Sequence, residues 1–425
     1  MAKVLVVGGD TRAHSLGWKI ARSPIVDKVY FAPGNGGTAS VGENITVAQD
    51  DFEALVKFAK KEKIDLVVVS PENPLGDGIV DFFEKENLMI FGPTQRAAQI
   101  ESSKVFSTEF MERHKIPHPD ATVANNLAEA ESFVRTHQTS EYVIKADGLA
   151  AGKGVIVPES QAEAQAATSD IMQNKIFGGA GGKVVFQERL HGQEVSAFAL
   201  TDGRKLLMLP YSQDHKQAYD GDKGPNTGGV GAYAPTPFVS PKLAKQIEKE
   251  IMQATIDGLR AEGSLFKGAL YGGLFITKDG QPKVIEFNCR LGDPENQPEM
   301  MLVESDLYPV FLEIAQGRLK TKNLKIRPGA AANVVLTSRG YPGEFEVGFP
   351  ITGLDKISDP DVVVFHGGTK LDNGKIITTG GRVVNVTAYG PDMKSALAKT
   401  YAQIGSNGVH FKNMHYRKDI GYRVL

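Results

Sequence analysis

Lys145-Ala146-Asp147-Gly148-Leu149-Ala150-Ala151-Gly152-Lys153-Gly154 lies between two apolar runs, Tyr142-Val143-Ile144 and Val155-Ile156-Val157. A glycine-dense turn carrying lysines between two strand-like runs reads as a hairpin flap over a polyphosphate. Glycines let backbone N–H groups point at phosphate oxygens without obstruction, and two ammonium groups neutralise their charge. The stretch is not a P-loop. That motif needs one more residue before its Gly-Lys and then Ser or Thr opening a helix, whereas Gly154 and a β-branched run follow here. By itself the turn also fits a solvated loop, so the reading depends on the rest of the chain.

Working outward, 425 residues exceed one ordinary core and imply about three domains. With 41% hydrophobic and 23% charged residues and a formal net charge of −2, no global basic field argues for nucleic acid or an anionic membrane. The single cysteine, Cys289, excludes an internal disulfide framework and a cysteine-based zinc site, which suits a reducing cytoplasm. No apolar stretch approaches membrane-spanning length.

Upstream of the flap, Lys3 to Val7, Lys28 to Phe31 and Asp65 to Val69 read as strands, alternating with helices at Thr11 to Ala21 and Phe52 to Lys61. This alternation predicts a parallel sheet with helices on both faces, and such sheets bind ligands at their strand carboxyl ends. Three punctuated strand ends stand there: Gly8-Gly9-Asp10, Pro33 to Thr38, and Ser70-Pro71-Glu72-Asn73-Pro74. Singly each fits a plain βα turn; together they favour a small anionic substrate. Glu101-Ser102-Ser103-Lys104 is expected to begin a helix, which places Lys104 where helix dipole and ammonium both suit phosphate. A surface lysine is the plainer alternative.

Downstream, Ser160-Gln161-Ala162-Glu163 has the form of a capping box. Lys183 to Leu190 is a strand leading to Glu194. Backbone groups around Glu188 and Leu190 could pair with adenine while Glu194 accepts from ribose hydroxyls, although on spacing alone a charged hairpin edge is the plainer reading. Gln213-Asp214-His215-Lys216 and Gly221 to Tyr233 form a long polar, glycine-rich region that is expected to be loop, of the kind that carries function. His215 has no second histidine nearby and is expected to be structural or substrate-orienting.

Lys283-Val284-Ile285-Glu286-Phe287-Asn288-Cys289-Arg290 is the second informative stretch. Strand residues two apart share a face, so Glu286, Asn288 and Arg290 should project together while Ile285, Phe287 and Cys289 face the core. A carboxylate, an amide oxygen and a guanidinium on one face suit a Mg²⁺–triphosphate complex, with Arg290 on the terminal phosphoryl. Beyond Pro328, three apolar runs and a helix near Met393 to Tyr401 form a compact α+β piece.

A strand lysine before a glycine flap, a Glu-Arg-Leu hinge and a late Glu-x-Asn pair resemble the ATP-grasp ligases. At closer range, Lys145 to Val155, Gln213 to Lys216, Gly224-Pro225-Asn226-Thr227-Gly228-Gly229 and Gly292-Asp293-Pro294-Glu295 resemble the glycinamide ribonucleotide synthetase family. So do Gly380-Gly381-Arg382-Val383 and the closing Tyr416 to Gly421, and the resemblance spans the whole chain. It implies an N-terminal parallel α/β domain (1–103), a two-lobed ATP-grasp unit (104–327, with a lid at about 122–192) and a small α+β domain (328–425). The implied reaction joins glycine to 5-phosphoribosylamine at the expense of ATP, with Mg²⁺ or Mn²⁺ as cofactor, in a monomer or weak homodimer.

By resemblance Lys104, Lys145, Gly152, Lys153 and Gly154 hold phosphates, Glu188, Leu190 and Glu194 the nucleoside, and Glu286 and Asn288 the metal. Arg290, Asp293 and Asp214 are the expected catalytic groups. Lys216, Asn226, Thr227 and Gly228 position substrates, and the ribosyl phosphate lies near Gly9, Asn35, Thr38 and Glu72. The family usually follows its first strand with glycines and Arg-Glu-His; here Asp10-Thr11 replace two glycines, Ala13 replaces the Glu, and Ser70 replaces a glycine. All four changes fall in the presumed ribosyl-phosphate corner. An ATP-grasp enzyme with another carboxylate or amine, and a nucleotide-binding protein without turnover, remain alternatives at this point.

Overall fold

The computed structural model describes residues 1–149 and 154–425. Five parallel strands open the chain, in the order Glu43–Asn44, Val26–Pro33, Ala2–Gly8, Leu66–Val69, Ile90–Phe91. The helices Thr11–Ile20 and Phe52–Glu62 bear out the expected βαβαβ pattern. The first of them starts where Asp10 accepts from the Ala13 N–H at 2.7 Å, a cap of the sort worth about 1 kcal/mol. Because the central strands are apolar along their length, both faces are covered, and Val4, Leu5, Val6 and Val7 are all fully buried.

Two antiparallel sheets follow. The lid sheet runs Ala121–Ala124, Val184–Glu188, Tyr142–Ala146, Val155–Ile156, with Phe133, Tyr142 and Phe186 packed edge-on or stacked in its core. Ser160 caps the lid helix Gln161–Met172, but the Glu163 carboxylate reaches the Glu159 N–H rather than that of Ser160, so the box is closed one residue early. The second sheet runs Leu206–Met208, Gly192–Thr201, Gly268–Thr277, Pro282–Asn288.

In that last strand the expected alternation holds only in part. Gly273 pairs with Glu286 and Leu274 with Val284, so Ile285 is the extra residue of a β-bulge. Ile285 is therefore half-buried rather than core-facing, whereas Phe287 and Cys289 are buried as expected. Glu101, expected to open a helix, instead sits in the last turn of Gln95–Ser102. A second helix, Lys104–Arg113, begins immediately after the cap Ser103.

The last sheet is ordered Gln213–Asp214, Gly231–Ala234, Ala330–Ser338, Arg382–Gly390, Val362–His366, with Met414–His415 also paired to Ala330–Ser338. Two of its strands precede residue 328, so the sheet ties the 213–234 region to the C-terminal piece. The glycine-rich region expected as loop thus carries short strands, including the hairpin Gln217–Tyr219 with Lys223–Asn226. No helix among the described residues is long and apolar enough to cross a membrane.

Candidate active site

A cleft between the lid and the central sheet is lined by Lys104, Gly148, Gly154, Glu286, Asn288 and Arg290, with Glu72 entering from the start of the N-terminal helix Glu72–Gly76. Each side chain has a local reason to be there. Lys104 is the first residue of its helix, whose start is fastened by the Asp147 carboxylate accepting from Ser103 Oγ at 2.9 Å and the Val105 N–H at 3.1 Å. Lys145 is the next-to-last residue of the inner lid strand Tyr142–Ala146 and donates from Nζ to the Ile285 carbonyl at 2.7 Å. The bulge is what turns that carbonyl out of the ladder. Gly152 and Lys153 lie outside the described residues.

The charges are strongly coupled. Burial lowers the Lys145 pKa to about 7, with Lys104 and Lys216 adding to the effect against the pull of Glu286. Burial opposes the charge of Glu286, but Lys104, at 3.5 Å, together with Lys216, Lys145 and Arg290, outweighs it and holds the pKa at about 2. Glu286 is an anion at neutral pH. The site can therefore take up a cation at Glu286 and anions at the lysines.

Arg290 lies between two carboxylates, Glu72 at 3.2 Å and Glu101 at 3.1 Å. Glu72 also holds Arg12 at 3.0 Å, and Arg12 holds Asp10 at 2.8 Å. Asp10 in turn accepts from Ser70 Oγ at 2.7 Å. Two of the residues that depart from the family pattern, Asp10 and Ser70, thus touch each other, at the end of an alternating chain of charges reaching the cleft. Sequence reasoning missed Glu101, since a carboxylate in a helix 187 positions from its partner carries no local signal.

Asp214, Lys216, Glu194 and Glu295 form a second, adjoining cluster. Burial raises the Asp214 pKa to about 7, because Glu295 and Glu194 offset much of the pull of Lys216. Burial opposes the charge of Lys216, yet Glu194, at 3.3 Å, and Asp214 raise its pKa well above the usual lysine range. The fully buried His215 accepts from the Gly421 N–H at 3.3 Å, and burial lowers its pKa to about 3. Glu188 stands at the lid edge with its carboxylate 3.2 Å from Lys283, and Leu190 follows in the turn to the strand that carries Glu194.

Other expected residues make contacts within the protein. Asp293 accepts from Thr11 Oγ1 at 2.6 Å and Gln297 at 2.9 Å and pairs with Arg382 at 3.2 Å, which joins all three parts of the chain. These contacts anchor Asp293 between the three parts. Asn35 donates to the Gly9 and His366 carbonyls, accepts from the Gly37 and Thr38 N–H groups, and shares its backbone with the Thr38 hydroxyl. Both side chains shape the loop beside Gly9. Thr227 bonds the Lys216 carbonyl at 2.7 Å, Asn226 ends the exposed hairpin, and the Gly228 carbonyl accepts from Arg382 at 2.6 Å. Gly229, at φ +100°, follows where a Cβ would overlap Pro294.

Models of the phosphoribosylglycinamide synthetase N domain, ATP-grasp (A) domain and C domain match residues 2–101, 102–296 and 331–423. The chain belongs to the phosphoribosylglycinamide synthetase family. It is 46% identical to a phosphoribosylamine–glycine ligase of Allochromatium vinosum, covering all of this chain and 99% of that one. It is 47% identical to a trifunctional purine biosynthetic protein of Gallus gallus, of which it spans 42% of the length. The crystal structure of a phosphoribosylamine–glycine ligase from Thermotoga maritima superposes with a TM-score of 0.86 at 33% identity, over 99% of this chain and all of that one. A biotin carboxylase domain of Hydrogenobacter thermophilus, at 13% identity and a TM-score of 0.76, shares the fold alone. Family membership agrees with the cleft: a lid carrying lysines faces a strand carrying Glu286, Asn288 and Arg290.

Proposed function

We propose that the chain is a cytoplasmic ligase that joins glycine to 5-phosphoribosylamine through glycyl phosphate, giving glycinamide ribonucleotide, ADP and phosphate. The observation that carries this reading is the meeting of three groups in one cleft: lysines for phosphate, a Glu286–Asn288–Arg290 face, and the Asp214–Lys216 cluster beside it. An amine cannot displace oxide from a carboxylate, so the γ-phosphoryl moves to glycine first, a step governed by alignment and charge neutralisation.

Lys104 and Lys145, with the flap residues Gly152, Lys153 and Gly154, hold phosphates in this reading, and Arg290 meets the transferring phosphoryl. Glu188, Leu190 and Glu194 face the nucleoside. Asp214, titrating near neutrality, can accept the proton that the amine loses, while Lys216 holds a carboxylate substrate. Glu286 and Asn288 suit Mg²⁺ or Mn²⁺: one is anionic at neutral pH, and the other has its NH₂ turned away into a hydrogen bond with Glu101. Such a cation would neutralise charge at the phosphates. Among the described residues no three His, Cys, Asp or Glu side chains gather into a self-sufficient metal cage, which agrees with a cation completed by substrate phosphates and water.

The test is ADP release from ATP, Mg²⁺ and glycine, with and without freshly generated phosphoribosylamine. Release that needs both substrates and is lost in Glu286→Ala supports the proposal. Release with a different carboxylate or amine, and none with this pair, overturns it.

A further inference from the structure

Glu101 is 2% exposed and receives four donors from three consecutive residues of the metal-facing strand and its end. Its Oε1 accepts from Asn288 Nδ2 at 2.9 Å and pairs with Arg290 Nη2 at 3.1 Å. Its Oε2 accepts from the Cys289 N–H at 2.8 Å and the Cys289 thiol at 2.9 Å. A carboxylate can only accept, so the Asn288 amide must turn its NH₂ towards Glu101. The amide is planar, so its oxygen is then directed the other way. A divalent cation such as Mg²⁺ binds that oxygen and cannot bind the NH₂. The contact of Asn288 with Glu101 therefore selects one of two amide orientations that are nearly equal in shape.

We propose that Glu101 is a positioning residue that locks Asn288 with its oxygen towards the cleft and thereby sets the divalent-cation affinity of the Glu286–Asn288 pair. The inference rests on the reading of those two residues as metal ligands. Partners behind a metal ligand commonly account for about 10- to 100-fold in metal affinity. A Gln at position 101 carries both a donor and an acceptor, so it lets the Asn288 amide flip and also leaves Arg290 with Glu72 alone.

The experiment measures Mn²⁺ binding to the full-length protein with ADP, from the electron paramagnetic resonance of free Mn²⁺, and ADP binding without metal by calorimetry. Glu101→Gln is expected to weaken Mn²⁺ about tenfold or more while metal-free ADP affinity stays within about twofold. The double variant Glu101→Gln with Asn288→Asp should recover Mn²⁺ affinity, because a carboxylate at 288 offers oxygen in either orientation and accepts from the Gln. A merely structural role for Glu101 predicts no such recovery. Unchanged Mn²⁺ affinity in Glu101→Gln, or a double variant still tenfold weaker than the parent, overturns the proposal; the double variant decides even if the single one does not fold. Glu286→Ala separates the two readings. If it binds Mn²⁺ as the parent does, the metal assignment fails; if it loses Mn²⁺ while Glu101→Gln keeps it, only the positioning role fails.

Discussion

Nucleotide binding should draw a proton from solution, and Lys145 is the reason. Its pKa of about 7 reflects burial beside Lys104 and Lys216. At pH 8 such a lysine is charged in roughly one molecule in ten, and at pH 7 in about half. Phosphate oxygens placed against it favour the ammonium and restore the pKa towards its ordinary ~10.4. Uptake per nucleotide is then ~0.9 proton at pH 8, ~0.5 at pH 7 and ~0.1 at pH 6. The phosphates do not mask this, because a terminal phosphate with a pKa of about 6 is already ionised at pH 8. The sign follows directly: the free site lacks a proton that the bound site holds, so affinity falls as pH rises above 7, approaching tenfold per unit. Calorimetry of ADP binding with excess chelator, in buffers of different ionisation enthalpy, reads the proton count. Lys145→Met should abolish it. Uptake below ~0.2 at pH 8, or uptake unchanged in Lys145→Met, would show that Lys145 is charged before nucleotide arrives.

Three other outcomes follow from contacts around the cleft and its supports. Asp222 holds the C-terminal segment through Arg417, Tyr422 and Arg423, and Arg423 in turn bonds the Asp214 carbonyl. Asp222→Asn should cost roughly 2–3 kcal/mol in thermal unfolding and raise the KM for glycine while that for ATP stays put; a raised ATP KM alone would contradict it. Asp10→Asn retains a good helix cap but removes an anion from the corner expected for the ribosyl phosphate and leaves Arg12 with Glu72 as its one remaining carboxylate partner among the described residues. The KM for phosphoribosylamine should fall about three- to tenfold, and a rise in steady-state assays would refute the placement. Burial and Glu101 raise the Cys289 thiol pKa well above its ordinary value. Iodoacetamide labelling of the native protein should therefore be at least ~100-fold slower than after unfolding, and equal rates by mass spectrometry would refute the burial.

Local rules account for much of what was legible. Strand and helix alternation over residues 2–91 follows from apolar runs broken by Gly, Pro and Asp, and the parallel sheet needs no distant information. Glu286, Asn288 and Arg290 were readable as one face because strand periodicity is local. Ile285 was not, because a bulge is a property of the pairing with Gly273 and Leu274 and not of one strand. The polar 213–233 region read as loop because its short strands gain their stability from Ala330–Ser338, a hundred residues later.

The sequence by itself determined which elements form, in what order, and which chemical groups stand at their ends. The tertiary structure decided how those groups are paired. Glu101 became the partner of Asn288, Asp293 a joint between three parts of the chain, and Asp10 the partner of Ser70 and Arg12. The physical reason is one of range. Backbone preferences act over a few residues, whereas a buried charge takes whatever counter-charge the fold brings to it, and that choice is made only when distant segments meet.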